Sequence, residues 1–226
     1  MPIRKESFGN DEMYHVFNRG IDRRIIFKNS RDYERALTTC DFYRFIQVRI
    51  PLSEFIRSSL KAQKEIRLSA NKAGSLVEIL AYCFMPNHFH FLLRQKVDGG
   101  ISKFMSNFQN SYTRYSNLKN KRSGPLLSTQ FRAVKIDTED ELVHVNRYIH
   151  LNPYTSYIVK SFDELKNYSW SSLREYLNPN EKNICQMEEV LGLFKNSDDY
   201  LQFVLDQAEY QKELKKIKDW QRIKNG

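Results

Sequence analysis

The sequence predicts an α+β fold in which an antiparallel sheet is flanked by helices, and three observations carry that expectation. Strand-like apolar runs occupy Glu12 to Asn18, Leu76 to Phe84 and the stretch from His88. Stretches with apolar residues at helical spacing lie among them. Pro86-Asn87 falls between two of the strand-like runs as a turn, which makes those two an antiparallel pair.

Taken in order, Glu-Met-Tyr-His-Val-Phe-Asn (12 to 18) alternates as a first strand, and Arg19-Gly20-Ile21-Asp22-Arg23-Arg24 follows as a basic turn. Ser30 is placed to cap a helix from Arg31 to about Ile50, with Tyr33, Leu37, Cys40, Phe42 and Phe45 on its buried face. Pro51 interrupts, and the basic stretch Leu52 to Lys72 reads as a second helical piece. Leu76 to Phe84 is a continuous apolar strand, and the turn leads from it into the His88 strand. After Gly99-Gly100, the residues Ile101, Phe104, Met105, Phe108, Tyr112 and Tyr115 mark an amphipathic helix ending near Lys119. That stripe makes Tyr112 and Tyr115 core residues.

Phe131 to Ile136 is a short strand, and Thr138-x-x-Glu141 is a capping box that starts a helix with acids in its first turn. Leu142, Val145 and Ile149 form its apolar face, and Pro153 is expected to end it. The order strand, helix, strand, strand, helix, strand, helix matches a ferredoxin-like arrangement. From Met187 to Trp220 helical apolar spacing returns with balanced charge, which suits packing against the main domain or a partner. The expected organisation is a domain over residues 1–182, with a basic helical insertion near 52–72, followed by a helical extension over 183–226.

The 226 residues, 41% hydrophobic and 28% charged, suffice for one sizeable core with an appendage, so disorder is not expected. Cys40, Cys83 and Cys185 form neither a metal-spaced cluster nor an even disulfide set, which points to a reducing cytoplasm. No run of 18 apolar residues appears and the N-terminus has no apolar stretch, so neither export nor a membrane span is expected. The net charge is +9, and residues 183–226 hold 7 Lys and Arg against 8 Asp and Glu, which leaves +10 on residues 1–182. From Gly99 to Ile136 there is no acid, only Lys103, Arg114, Lys119, Lys121, Arg122, Arg132 and Lys135. A polyanion suits such a stretch, and so does a plain solvated basic face.

His88 and His90 stand two apart in an apolar strand, which places both imidazoles on one face, roughly 6.6 Å apart along the backbone. They can converge on one ion, or serve as two satisfied polar residues on a half-buried strand. Downstream, His144, Tyr148 and Asn152 are spaced by four and share one helix surface. Asn152 can offer an amide oxygen as a third ligand and Tyr148 a phenol beside the ion. The competing reading has Tyr148 packed at the domain edge and Asn152 capping the helix.

These residues together resemble a known family. The histidine pair in Met85-Pro86-Asn87-His88-Phe89-His90, with Tyr148-x-x-x-Asn152-Pro153 placed 58 residues after His90 (148 − 90), is similar to the single-tyrosine HUH transposases, particularly the REP-associated tyrosine transposase group. Tyr14-His15-Val16-Phe17-Asn18-Arg19-Gly20, Gly124-Pro125-Leu126 through Phe131-Arg132, and Tyr168-Ser169-Trp170-Ser171-Ser172 add to the resemblance, which covers about residues 12 to 176. By that resemblance His88 and His90 are the metal pair, Tyr148 is the nucleophile and Asn152 completes the metal site. The insertion near 52–72 and the tail beyond Asn183 depart from compact members of the group.

The resemblance implies Mg²⁺- or Mn²⁺-assisted cleavage and joining of single-stranded or hairpin DNA through a 5′-phosphotyrosine link with a free 3′-hydroxyl. It also implies a cytoplasmic, nucleoid-associated enzyme. No phosphate-binding glycine loop is present, in keeping with chemistry that needs no ATP. Arg19, Arg23, Arg24, Lys103, Arg114 and Arg132 are the expected DNA contacts, being bases interleaved with aromatics. Two other functions stay open: a non-catalytic DNA-binding protein with the same fold, and a metal-dependent hydrolase that uses water. The sequence leaves monomer and homodimer equally open.

Overall fold

The computed structural model describes residues 8–46, 50–179 and 184–214. Its strands are β1 (Met13–Arg19), β2 (Val77–Met85), β3 (His88–Gln95) and β4 (Arg132–Ile136), joined in one antiparallel sheet of order β2-β3-β1-β4. That order is the ferredoxin-like one the sequence predicts. The helices are α1 (Ser30–Tyr43), α2 (Leu52–Arg57), α3 (Leu60–Ala73), α4 (Gly100–Lys119), α5 (Glu139–Thr155), α6 (Phe162–Lys166), α7 (Leu173–Leu177), α8 (Glu188–Leu191) and α9 (Ser197–Leu205).

The pleat of β3 separates two environments. Phe89 and Phe91 turn to one face, where Phe104 and Phe108 of α4 meet them edge-on at 5.2 to 5.7 Å between ring centres. His88 and His90 turn to the other face, which α5 covers. The result is three layers: α1 with α4, the sheet, and α5 with α7 and α9. Burial of the aromatic set on the α4 side contributes to the hydrophobic stabilisation of this architecture.

Three boundaries differ from expectation for tertiary reasons. The first helix ends at Tyr43, not near Ile50, because Phe45 bridges Ser75 and the Arg44 carbonyl accepts the Leu76 N–H at 2.7 Å. Asn29, not Ser30, is its N-cap residue. Pro153 lies inside α5, which runs on to Thr155. A proline removes one N–H but leaves the next turn intact, and the Ser156 N–H still reaches the Asn152 carbonyl at 3.0 Å. Thr138 caps the helix, its Oγ1 accepting from the Glu141 N–H at 3.1 Å, while Glu141 Oε2 reaches back one residue beyond the N-cap, to the Asp137 N–H at 2.7 Å. The basic stretch near 52–72 forms α2 and α3.

The chain after α6 runs along the outer edge of β2. The Phe84 N–H donates to the Trp170 carbonyl at 2.8 Å, Cys83 bridges Ser171, and the Ser172 N–H donates to the Tyr82 carbonyl at 3.0 Å. The expected tail packing is observed as far as residue 214, with α9 against α5 and α7. Its continuation to Trp220, and the junction at residues 182 and 183, lie outside the described residues.

Candidate active site

Strand register assembles the site. Phe17 pairs with His90 on one side and with Arg132 on the other, while Arg19 pairs with His88. Directly opposed residues share a face, so Arg132, Phe17, Arg19, His88 and His90 all point the same way. His15, two before Phe17, belongs to the same face, and its ring stacks on His90 at 5.1 Å. No site role for His15 was expected from sequence. The signal was present, since β1 alternation puts it beside Phe17, but only the β1–β3 register brings it to His90.

The two expected metal histidines are each fixed through Nδ1. Asn87 Oδ1 lies 2.6 Å from His88 Nδ1, which requires a proton on that nitrogen and directs Nε2 to act as the ligand atom. His15 Nε2 lies 2.9 Å from His90 Nδ1. Burial holds His15 neutral, its pKa lowered to about 4, so it can accept from His90 and leave the lone pair on His90 Nε2.

Tyr148, Asn152, His88 and His90 line one cleft of about 650 Å³ together with Phe17, Arg19, Arg23 and Arg132. The Tyr148 ring meets His90 edge-on at 5.6 Å and His15 at 5.8 Å, and the residue is 39% exposed. Asn152 is fully buried at the cleft floor. Its Nδ2 donates to the Tyr148 carbonyl at 3.1 Å, so the carbonyl oxygen is the atom that suits a cation. His144 does not join them, because its Nδ1 pairs with Arg147 at 2.8 Å and its ring stacks on Phe203.

Tyr112 and Tyr115 sit on the opposite side of the sheet. The Tyr112 hydroxyl donates to the Ile26 carbonyl at 2.7 Å, and burial pushes its phenol far above the usual range. Tyr115 donates to Asp32 Oδ1 at 3.0 Å, and burial, followed by that bond, raises its phenol too.

Among the six expected DNA contacts, Arg19, Arg23 and Arg132 line the cleft. Gly20 makes the intervening turn feasible, because a Cβ there would stand 2.3 Å from the Arg24 carbonyl oxygen. Arg24 is turned to Asp22 at 3.2 Å. Lys103 and Arg114 are exposed on α4, across the sheet from the histidines. The acid-free stretch is also partly neutralised by other segments: Lys119 pairs with Asp32 at 2.5 Å and Lys135 with Glu12 at 2.7 Å.

The donors fit a weakly held divalent cation. Two imidazole nitrogens and one amide oxygen carry no charge, so water and phosphate oxygens would supply the remaining ligands. Among the described residues no group of three or more His, Cys, Asp or Glu side chains is gathered for a metal. No helix among the described residues is long and apolar enough to cross a membrane.

Comparison with known proteins agrees with this geometry. A solved structure of a REP-associated tyrosine transposase bound to a REP hairpin shares the fold with a TM-score of 0.54 at 15% identity, covering 81% of this chain and 90% of that one. No curated protein matches. The model of the family described as "Transposase IS200 like" matches residues 43–152, from the end of α1 to Asn152. That segment, which holds His88, His90, Tyr148 and Asn152, is similar to the IS200-like transposase family.

Proposed function

We propose that the protein is a metal-dependent single-stranded DNA endonuclease and strand transferase, acting on hairpin-associated DNA through a covalent 5′-phosphotyrosine intermediate. The observation that carries the reading is Tyr148 at the mouth of an arginine-rimmed cleft with its ring against His90. Such a hydroxyl could attack a phosphate polarised by a cation that His88, His90 and Asn152 would hold. A Mg²⁺ or Mn²⁺ held there would polarise the scissile phosphate and offset charge on its oxygens. Tyr148 Oη forms a bond to phosphorus, the bond from phosphorus to the 3′ oxygen breaks, and the phenolic proton is lost while the 3′ oxygen leaves as a hydroxyl. A later 3′-hydroxyl reverses the exchange, so no nucleotide cofactor is consumed.

Single strands and hairpins suit the cleft because attack needs an exposed backbone, and the rim joins Arg19, Arg23 and Arg132 to the exposed apolar surfaces of Ile25 and Tyr157. The likeness to a hairpin-bound transposase supports the same substrate class. In this reading residues 1–182 are the catalytic unit and 183–226 an extension that supports it. The setting is a reducing compartment that contains DNA, which the three buried free cysteines suit.

The test is incubation of the full chain with end-labelled hairpin DNA and Mn²⁺, followed by a denaturing gel. A protein-linked DNA band that requires the metal is expected, and its absence across several hairpin sequences would remove the catalytic reading. Affinity should also depend on salt. Three rim arginines neutralising three phosphates give a slope of about −2 in log affinity against log salt, or roughly 16-fold between about 50 and 200 mM. A flat titration would show that the cleft is not the phosphate track.

A further inference from the structure

The back of α5 carries a buried chain of hydrogen bonds that the chemistry above does not use. Starting on β2, the Tyr82 N–H donates to Ser172 Oγ at 2.9 Å, and Ser172 lies 2.7 Å from His150 Nε2. His150 Nδ1 lies 2.5 Å from the Tyr200 hydroxyl, which donates to Asn146 Oδ1 at 2.5 Å. Asn146 Nδ2 then donates to Tyr176 Oη at 2.8 Å, and Tyr176 donates to the Leu80 carbonyl at 2.8 Å, back on β2.

The proton positions follow from the partners, with the Ser172 hydroxyl also 3.2 Å from the Tyr82 carbonyl oxygen. An amide oxygen only accepts, so the single Tyr200 proton goes to Asn146, and Tyr200 must accept from His150 Nδ1–H. Neutral His150 then accepts at Nε2 from Ser172. The whole chain runs one way from Tyr82 to Leu80 with every link satisfied, and Asn146, His150, Ser172, Tyr176 and Tyr200 all have 0% exposure.

We propose that Tyr200, from the C-terminal tail, is a positioning residue for Tyr148: through His150 and Asn146 it fixes the rotation and axial register of α5 over the histidine strand. This rests on the reading of Tyr148 as nucleophile. Asn146 and His150 are four apart, one helical turn, and Tyr148 lies two residues from each, on the other side of the helix. A slip of one residue rotates a helix by about 100° and shifts it by about 1.5 Å, which would carry the phenol off the cleft. Apolar packing alone is non-directional and tolerates such rotation, whereas directed bonds between buried partners do not. Arg147 adds to the clamp, since its guanidinium lies over the Phe203 ring at 4.4 Å.

The experiment compares Tyr200→Phe, which deletes one oxygen, with Tyr112→Phe, which deletes an equally buried hydroxyl across the sheet. Adduct formation by the full chain is measured at saturating hairpin DNA with Mn²⁺, beside hairpin affinity and amide hydrogen exchange. Tyr200→Phe is expected to slow the saturating rate on the order of 10- to 100-fold, the usual cost of a misplacement near 1 Å, with affinity changed less than about twofold. Exchange of the α5 amides should rise more than about tenfold while β3 stays protected. Ser172→Ala, which cuts the chain at its other end, should do the same, and Tyr112→Phe should do neither. An unchanged saturating rate in Tyr200→Phe, or equal slowing in Tyr112→Phe, overturns the proposal. Should the wild type form no adduct, the reading of Tyr148 fails separately, and unchanged α5 exchange in Tyr200→Phe still overturns the positioning role.

Discussion

Tyr148→Phe protein is expected to fold, to bind hairpin DNA and to form no covalent DNA adduct. The change removes one oxygen from a side chain that is 39% exposed and leaves its ring against His90 and His15. Stability should therefore stay within about 0.5 kcal/mol of wild type, as for other surface changes. The adduct is expected to be lost, because the variant lacks the attacking oxygen. Tyr112 and Tyr115 are committed to Ile26 and Asp32 on the far side of the sheet, so their Phe variants should keep the adduct. A gel in which Tyr148→Phe still forms the adduct and Tyr115→Phe does not would show that the nucleophile is misassigned. Undiminished strand cleavage by Tyr148→Phe, without an adduct, would instead favour the hydrolase with water as nucleophile.

The second large effect is expected at the histidine pair. His88→Ala removes a partly exposed ligand at the cleft and should lower Mn²⁺-dependent adduct formation on the order of 10³-fold, corresponding to several kcal/mol of transition-state stabilisation. His90 is 5% exposed and packed between Phe17, His15 and Tyr148, so His90→Gln, which preserves bulk, is the cleaner variant there. Both proteins should keep most of their hairpin affinity, since the arginines of the rim are untouched. A Mn²⁺ titration followed by electron paramagnetic resonance reads the same site without DNA. Wild-type Mn²⁺ affinity in both variants would place the cation elsewhere.

Much of this site could be read from local pattern. The alternation of His88, Phe89, His90 and Phe91 separates the two imidazoles from the core in any strand, and the Thr138 cap fixes where the Tyr148 helix begins. The stripe from Ile101 to Tyr115 likewise identifies α4 and removes two tyrosines from contention. What escaped was set by partners distant in sequence. His15 gains its place only from pairing 75 residues away, and His150 meets Tyr200 across 50. Spacing marks Tyr200 as one more residue of the tail's apolar face and says nothing of where its hydroxyl goes. Lys103 and Arg114 show the converse, since the structure keeps them apart from the cleft. Their charge was visible, but the helix face that carries them is averted from the cleft.

The strap from Tyr168 to Ser172 along β2 has a consequence for self-association. An unpaired strand edge is a template for another chain, and the strap occupies that edge of the sheet with backbone bonds at Phe84 and Tyr82. Among the described residues the other edge, β4, carries no further strand. It is only five residues long, which limits the pairing it could offer a second copy. The sheet is thereby guarded against pairing edge to edge with a second copy.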